Sequence, residues 1–394
     1  MFQKLLVANR SEIAIRIFRA ARELDIATVG IYSEEDRLTL HRFNTSESYL
    51  VGRGKKPIQA YLDVEGIIRV AQDSGCDAVH PGYGFLSENP EFAEQCAASG
   101  ITFIGPSPTV MRRLGNKVEA RAMAVAADVP VMPATAPLTD SDEEILQLAA
   151  GIGYPLMLKA SWGGGGRGMR VIRQEAELLE QVAMARREAS AAFGNDEVYL
   201  EKLVENARHV EVQIIGDTHG EVVHLFERDC TVQRRHQKIV ERAPAPYLSQ
   251  AQRDEITSAA VRLAQSVQYC NAGTVEFLQD VDTGEFYFIE VNPRIQVEHT
   301  VTEQITGLDL VKSQIRIAAG AKIGDLDESG MPAQDDIRMR GAAIQCRVTT
   351  EDPRNSFIPD YGHIVAYRSP AGPGIRLDAG TAYSGAVIGR HYDS

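Results

Sequence analysis

The sequence predicts an α/β N-terminal part built on a parallel sheet, followed by mixed α+β lobes. Three observations predict it. Short apolar runs alternate with helix-like stretches through about residue 104, the pattern of βα units. A glycine-rich loop then separates two strand-like runs near residue 160, and strand and hairpin patterns carry the chain from about 205 to 299.

In order, residues 5–8 read as a strand. Residues 12–24 read as an amphipathic helix, with Ile13, Ile17, Ala20, Ala21 and Leu24 on one stripe. Strands at 28–32, 78–80 and 102–104 and helices at 61–74 and 90–99 continue the alternation, a Rossmann-like beginning. No G-x-G-x-x-G follows the first strand, which disfavours a dinucleotide site there. A helical linker over 109–128 leads to proline and small residues at 131–135, a boundary signal. The next block, 134–204, reads as a small α+β lobe: strands at 155–160, 170–173 and 198–203 and a helix over 175–193. A helix over 311–319 and a β-rich end follow.

The 394 residues carry 54 acidic and 41 basic side chains, a net charge of −13. Such a chain is a poor candidate for non-specific nucleic-acid or anionic-membrane binding. No apolar run approaches a membrane span, and the apolar start is too short for a signal peptide. Cys76, Cys96, Cys230, Cys270 and Cys346 are odd in number and widely spaced, so neither a disulfide framework nor a zinc ribbon is expected. The expected compartment is the reducing cytoplasm.

Residues 162–169 hold five glycines. Backbone without Cβ can approach a polyanion closely and turn its N–H groups toward it. No G-K-[ST] follows, so this is not a Walker A loop; a flap over phosphates fits, and a plain hairpin tip remains open. Lys159, at the end of the entering strand, is placed for a phosphate or is a solvated charge.

The hairpin 274–292, with its turn centred on Thr283, sets Glu276 opposite Glu290, with Asn292 two residues on along the same face. Facing like charges among apolar neighbours are costly. A bound Mg²⁺ (or Mn²⁺) would relieve both problems, since such ions take carboxylate and amide oxygens; a slipped register or a solvated hairpin is the alternative.

If 293–299 is extended, Arg294, Gln296 and Glu298 share a face. A guanidinium can grip a small oxyanion and a carboxylate beside it can take its proton, although an Arg–Glu pair is also a common structural ion pair. Residues 228–242 hold five Lys/Arg against two acids, a local inversion that suggests an anion pocket or a solvated face. Cys230 among these cations is a candidate for a lowered pKa, without the partners of a catalytic thiol.

Taken together, LLVANR at 5–10, EIA at 12–14, HPGYGFLSEN at 80–89, EVNPR at 290–294 and QVEH at 296–299 resemble the biotin carboxylase family of ATP-grasp enzymes. AIQCRVTTEDP at 343–353 and FIPDYG at 357–362 resemble its pyruvate carboxylase branch. The resemblance implies a Rossmann-like domain at 1–117, a helical linker at 118–133, an ATP-grasp lid at 134–204 and a C-terminal domain at 205–394. It also implies that this last domain is incomplete, because relatives continue past the Tyr392-Asp393-Ser394 motif.

The implied reaction is ATP-dependent carboxylation of biotin by bicarbonate through carboxyphosphate. The implied cofactors are ATP, Mg²⁺ or Mn²⁺ and carrier-linked biotin, with bicarbonate as substrate. The implied partners are a biotin carrier domain, a carboxyltransferase domain and a second copy of the chain. Position by position, Lys117, Lys159, Gly165 and Gly166 would meet ATP phosphates; Glu201, Lys202 and Val204 the adenine; and His209, Gln233 and His236 the ribose and phosphate side. Glu276, Glu290 and Asn292 would hold the metal. Arg294, Gln296, Val297 and Lys238 would cradle bicarbonate, with Glu298 as base, Arg347 stabilising the biotin enolate and Tyr83 beside biotin. Ser11 stands where many relatives have glycine, and Asn116 where aspartate is usual. The alternatives are a nucleotide-binding module without turnover and an ATP-grasp ligase with another acceptor.

Overall fold

A computed structural model describes residues 1–161, 169–235 and 237–392. At the N-terminus, strands β1 (Lys4–Val7), β2 (Ala27–Tyr32), β3 (Glu47–Leu50), β4 (Ala78–His80) and β5 (Thr102–Phe103) form a parallel sheet in the order β3-β2-β1-β4-β5. Its central strand is a continuous apolar run because both faces are covered, and Leu5, Leu6 and Val7 are fully buried. Helix α1 (Ser11–Arg22) packs Ile13, Ile17 and Phe18 against Leu5 and Val7 on one face. Helices α2 (Val64–Asp73) and α3 (Pro90–Ala98) pack Ile67, Ala71, Phe92 and Cys96 on the other. Strand β3, which the sequence pattern does not announce, lies at the sheet edge with little burial.

The expected single linker helix is two helices, α4 (Pro108–Gly115) and α5 (Lys117–Ala126). Asn116 divides them: its backbone is extended and its Oδ1 accepts from the N–H groups of Val118 and Glu119 at 3.0 and 3.1 Å. The small lobe holds α6 (Asp142–Ile152), β6 (Leu156–Ala160), β7 (Arg170–Ile172), α7 (Glu175–Phe193) and β8 (Val198–Lys202), with an antiparallel sheet in the order β7-β6-β8. The glycine-rich loop, including Gly165 and Gly166, lies outside the described residues, as does His236.

The third sheet is antiparallel, in the order β13-β12-β9-β10-β11-β14. It comprises β9 (Ala207–Gly216), β10 (Val222–Arg234), β11 (Gln237–Ala243), β12 (Asn271–Asp280), β13 (Phe286–Asn292) and β14 (Ala343–Cys346). A seventeen-residue helix, α8 (Gln250–Ser266), interrupts the expected run of strands and hairpins. It is long because a Ser249–Gln252 capping box starts it and a stripe of Ile256, Ala259, Ala260, Leu263 and Ala264 buries against Val210 and Val212. Helices α9 (His299–Thr306) and α10 (Leu310–Ala318) complete this part. One apolar cluster runs from Leu5 and Ile17 through Leu310 and Ile315 to Ile215, Val223 and Ala272, so the parallel and antiparallel sheets share a core. Beyond Cys346 the chain forms two-residue strand pairs, the β-rich end expected. All five cysteines are free. Among the described residues, no helix is long and apolar enough to cross a membrane.

Candidate active site

Across β13, β12, β9 and β10 the register aligns Glu290 with Glu276, Glu276 with Glu211, and Glu211 with Arg228. Paired residues point to one face, so three carboxylates and a guanidinium form a row across four strands. The expected facing of Glu276 and Glu290 is present, by a different route. Nearer the turn the pairing is offset by one residue, Phe277 opposite Phe288, and a bulge in β13 restores the opposition at Glu290.

Lys238, from β11, reaches into this row. Its Nζ lies 2.5 Å from Glu211, 2.8 Å from Glu276 and 2.7 Å from Glu298. Burial would lower the ammonium pKa, but these carboxylates hold it well above its ordinary value. Arg228, fully buried, donates to Glu211, Gln213, Thr274, Thr302 and Gln296. Glu298 stands at the residue before α9 without capping it, and accepts from Lys238 through one oxygen and from Arg347 Nη2 through the other at 2.9 Å. Burial would push its carboxyl up; Lys238, Arg347 and Arg228 pull it down to about 2. Arg347 also donates from Nε to the buried Glu241 at 2.6 Å.

Glu276 accepts from Asn292 at 2.8 Å and Gln296 at 2.9 Å, and its other oxygen lies 2.9 Å from His209 Nε2. Burial works against its charge, yet Lys238 and His209 hold the carboxyl well below the ordinary value. Glu290 differs. It has no hydrogen-bond or ion-pair partner among the described residues, and burial and Glu276 push its carboxyl up against the pull of Lys117. A half-buried carboxylate without a cation, beside a carboxylate and an amide, fits a divalent ion. His209, Glu211 and Glu276 also bring ligand atoms within 4.8 Å of one another.

Of these groups Lys238, Glu276, Glu290, Glu298 and Arg347 line one cavity of about 2000 Å³, roomy enough for a nucleotide together with a second ligand. Glu211, Arg228 and Glu241 are buried and do not line it. Lys117, Lys159, Glu201, His209, Gln233, Lys238, Glu276, Glu290, Asn292, Arg294, Gln296, Val297, Glu298, Arg347 and Tyr83 all line it. Lys202 and Val204 do not; the Lys202 ammonium bonds the carbonyls of Gly153 and Tyr154 within the small lobe. Lys159 pairs with Glu201 across the lobe's sheet. The expected extended segment 293–299 instead bends at Arg294 and turns at Val297 before α9. Arg294 donates to Glu88 and Asn292, both at 2.9 Å, while Gln296 and Glu298 turn toward Glu276 and Lys238.

The basic stretch 228–242 is largely consumed by carboxylates. Arg234 pairs with Glu351, Arg242 with Asp229, and Arg228 and Lys238 with the row above. Cys230 does not have a lowered pKa: burial pushes its thiol well above the ordinary value, and Glu211 adds to that. Glu211 and Glu241 were not singled out from the sequence. His209, Glu211 and Gln213 alternate with Val210, Val212 and Ile214, and a polar stripe on an otherwise apolar strand was the available signal.

Comparison with known proteins now decides the family. Residues 1–111 match the family described as biotin carboxylase N-terminal domain, 116–326 the carbamoyl-phosphate synthase L chain ATP-binding domain, and 345–394 the biotin carboxylase C-terminal domain. The biotin carboxylase domain of Hydrogenobacter thermophilus 2-oxoglutarate carboxylase, solved as a dimer with MgADP, ADP and bicarbonate, is 46% identical. It superposes with a TM-score of 0.92, and this chain covers 84% of it. The chain belongs to the biotin carboxylase family.

Rhizobium etli pyruvate carboxylase matches all of this biotin carboxylase chain at 65% identity and a TM-score of 0.93, over 35% of its own length. Bacillus subtilis pyruvate carboxylase is 58% identical over 392 residues, covering the whole of this chain and 34% of the relative. The chain thus spans about a third of the length of these pyruvate carboxylases. Within the biotin carboxylase fold, Ser11 at φ 56° occupies a left-handed conformation, which glycine adopts without a Cβ penalty.

Proposed function

We propose that this chain performs the ATP-dependent carboxylation of biotin by bicarbonate, the first half-reaction of a pyruvate-carboxylase-type enzyme. The observation that carries the reading is Glu298, a buried carboxylate held between Lys238 and Arg347 in the same cavity as the Glu276–Glu290 pair. Those cations suit an oxyanion substrate and its base in one place.

In this reading Lys238 and Arg294 orient bicarbonate beside Gln296 and Val297, and Glu298 takes its proton. A bicarbonate oxygen attacks the γ-phosphorus, the bond to ADP breaks, and carboxyphosphate forms; its breakdown releases CO₂ and phosphate. The biotin N1′ nitrogen then gives its proton to the phosphate just released and attacks CO₂, forming the N–C bond of carboxybiotin. With Lys238, Arg347 and Arg228 pulling its carboxyl down to about 2, Glu298 is a weak base when only these groups act on it. A bound anion divides the pull of Lys238, and the carboxylate becomes more basic when the proton must move. Arg347 stabilises the charge that develops on the ureido oxygen, and Tyr83 lies beside the ring.

Lys117 and Lys159 meet the ATP phosphates, as the family resemblance also implies for Gly165 and Gly166. Glu201, Lys202 and Val204 meet the adenine, and His209, Gln233 and His236 the ribose side. Lys202 and Val204 would do so by backbone groups, since the Lys202 side chain is engaged elsewhere. Glu276, Glu290 and Asn292 would hold Mg²⁺, or Mn²⁺, which when bound would supply charge neutralisation to the transferring phosphoryl group. The lobes are read as 1–117, 118–133, 134–204 and 205–394. The partners are a biotin carrier and a carboxyltransferase domain of the parent enzyme and a second copy of the chain, and the compartment is the cytoplasm; the dimer of the Hydrogenobacter thermophilus domain supports the second copy.

Isotope-labelled bicarbonate tests the reading. Label transferred to biotin with stoichiometric ADP release is expected. Bicarbonate-dependent ADP release with no label on biotin would instead mean another acceptor.

A further inference from the structure

Tyr83 is held at both ends. The Asn9 amide donates to the carbonyls of Pro81 and Tyr83 at 2.7 and 2.8 Å, and a Cβ on Gly82, at φ 66°, would come within 2.8 Å of that amide nitrogen. At the other end the phenol donates to Glu12 Oε2 at 2.6 Å. The second oxygen of Glu12 is buried with no hydrogen-bond partner. Both residues line the cavity, and the charges of Arg347 and Glu298 reach the phenol.

A phenol whose hydrogen is taken by Glu12 has only acceptor capacity left for the cavity. Arg347 has only donors. The two groups together suit a urea, which offers N–H donors and a carbonyl acceptor. We infer that Glu12 is a positioning residue for biotin: by accepting the Tyr83 hydrogen, it presents the phenol oxygen to a ureido N–H while Arg347 meets the ureido oxygen. This rests on the biotin carboxylation proposed above and adds to it a residue with no role there.

The arrangement is pH-sensitive. Glu12 faces Tyr83, Asp378 and Arg376 from neighbouring segments and Arg16 from its own helix. Burial pushes its carboxyl up to about 7, with the Tyr83 hydrogen bond acting in the opposite direction. Below that value a protonated Glu12 can donate to the phenol oxygen. The phenol hydrogen then turns to the cavity, and the acceptor is lost.

Steady-state kinetics of this chain with free biotin, ATP and bicarbonate test the assignment. Glu12→Ala and Tyr83→Phe are each expected to raise the biotin KM about five- to tenfold, the loss of one hydrogen bond. The ATP and bicarbonate KM values stay put, and the double variant is no worse than either single. The wild-type biotin KM should rise as pH falls through about 7, and in Glu12→Gln that dependence should flatten. Additive effects, a parallel rise in the ATP KM, or an unchanged pH profile in Glu12→Gln would overturn the assignment. Wild type without biotin-dependent turnover would overturn the functional reading and this assignment together.

Discussion

Lys238 and Glu298, sixty residues apart in the chain, meet at 2.7 Å, and the same ammonium also contacts Glu211 and Glu276. One cation therefore offsets three buried carboxylates from three different elements. Removing it would leave only Arg228, Arg347 and His209 to offset three carboxylates whose charge burial disfavours. Lys238→Gln is expected to lower stability by about 3–5 kcal/mol, the usual cost of breaking a buried ion pair. Urea unfolding of the variant checks this; an unchanged midpoint would mean that the carboxylates are protonated or hydrated.

Glu298 makes stability depend on pH with a definite sign. Its folded value of about 2 lies below the ordinary 4.5, so its contribution is complete above pH 4.5 and is lost as pH falls toward 2. The gap in unfolding midpoint between wild type and Glu298→Gln should hold from pH 6 to about pH 4.5 and narrow from there toward pH 3. A constant gap would place the Glu298 carboxyl at its ordinary value.

Glu290 is expected to be the carboxylate most dependent on a metal ion, since among the described residues no cation is in ion-pair contact with it and only the more distant Lys117 and Lys238 favour its charge. Glu290→Gln should raise the Mg²⁺ concentration needed for half-maximal ADP release by about ten- to a hundredfold. Its midpoint without metal should hold or rise, because the repulsion from Glu276 is gone. A lower midpoint with unchanged Mg²⁺ demand would make Glu290 a structural residue.

Four strands of the parallel sheet and helix α7 were legible because their apolar spacing is uninterrupted, whereas the edge strand β3, with little burial, has no such pattern. The Glu276–Glu290 facing was legible because hairpin pairing is arithmetic, although the bulge that restores it leaves no mark in the sequence. Helix α8 was missed because alanines form much of its buried stripe, and the split at Asn116 because a cap looks like any polar residue in a helical run. Glu211 was hidden in an apolar strand. Its importance comes from residues 17 to 27 positions away, Arg228 and Lys238, which only the sheet brings to it.

Gly380 should be intolerant of a side chain. A Cβ there would lie 1.8 Å from Ser11 Oγ and 2.5 Å from the Glu12 amide nitrogen, so the C-terminal segment crosses the start of α1 in close contact. Gly380→Ala is expected to cost about 1–3 kcal/mol, measured by thermal or urea unfolding. A variant as stable as wild type would mean that this segment moves freely over α1.

The central claim is that Glu298, held between Lys238 and Arg347, is the base of a biotin carboxylase. ADP release measured with bicarbonate and biotin, in wild type and Glu298→Gln, tests it most directly. The account predicts turnover in wild type that requires both substrates, and loss of at least about a hundredfold in Glu298→Gln with ATP binding retained, in line with the usual contribution of a general base. Equal turnover in the two proteins would contradict it.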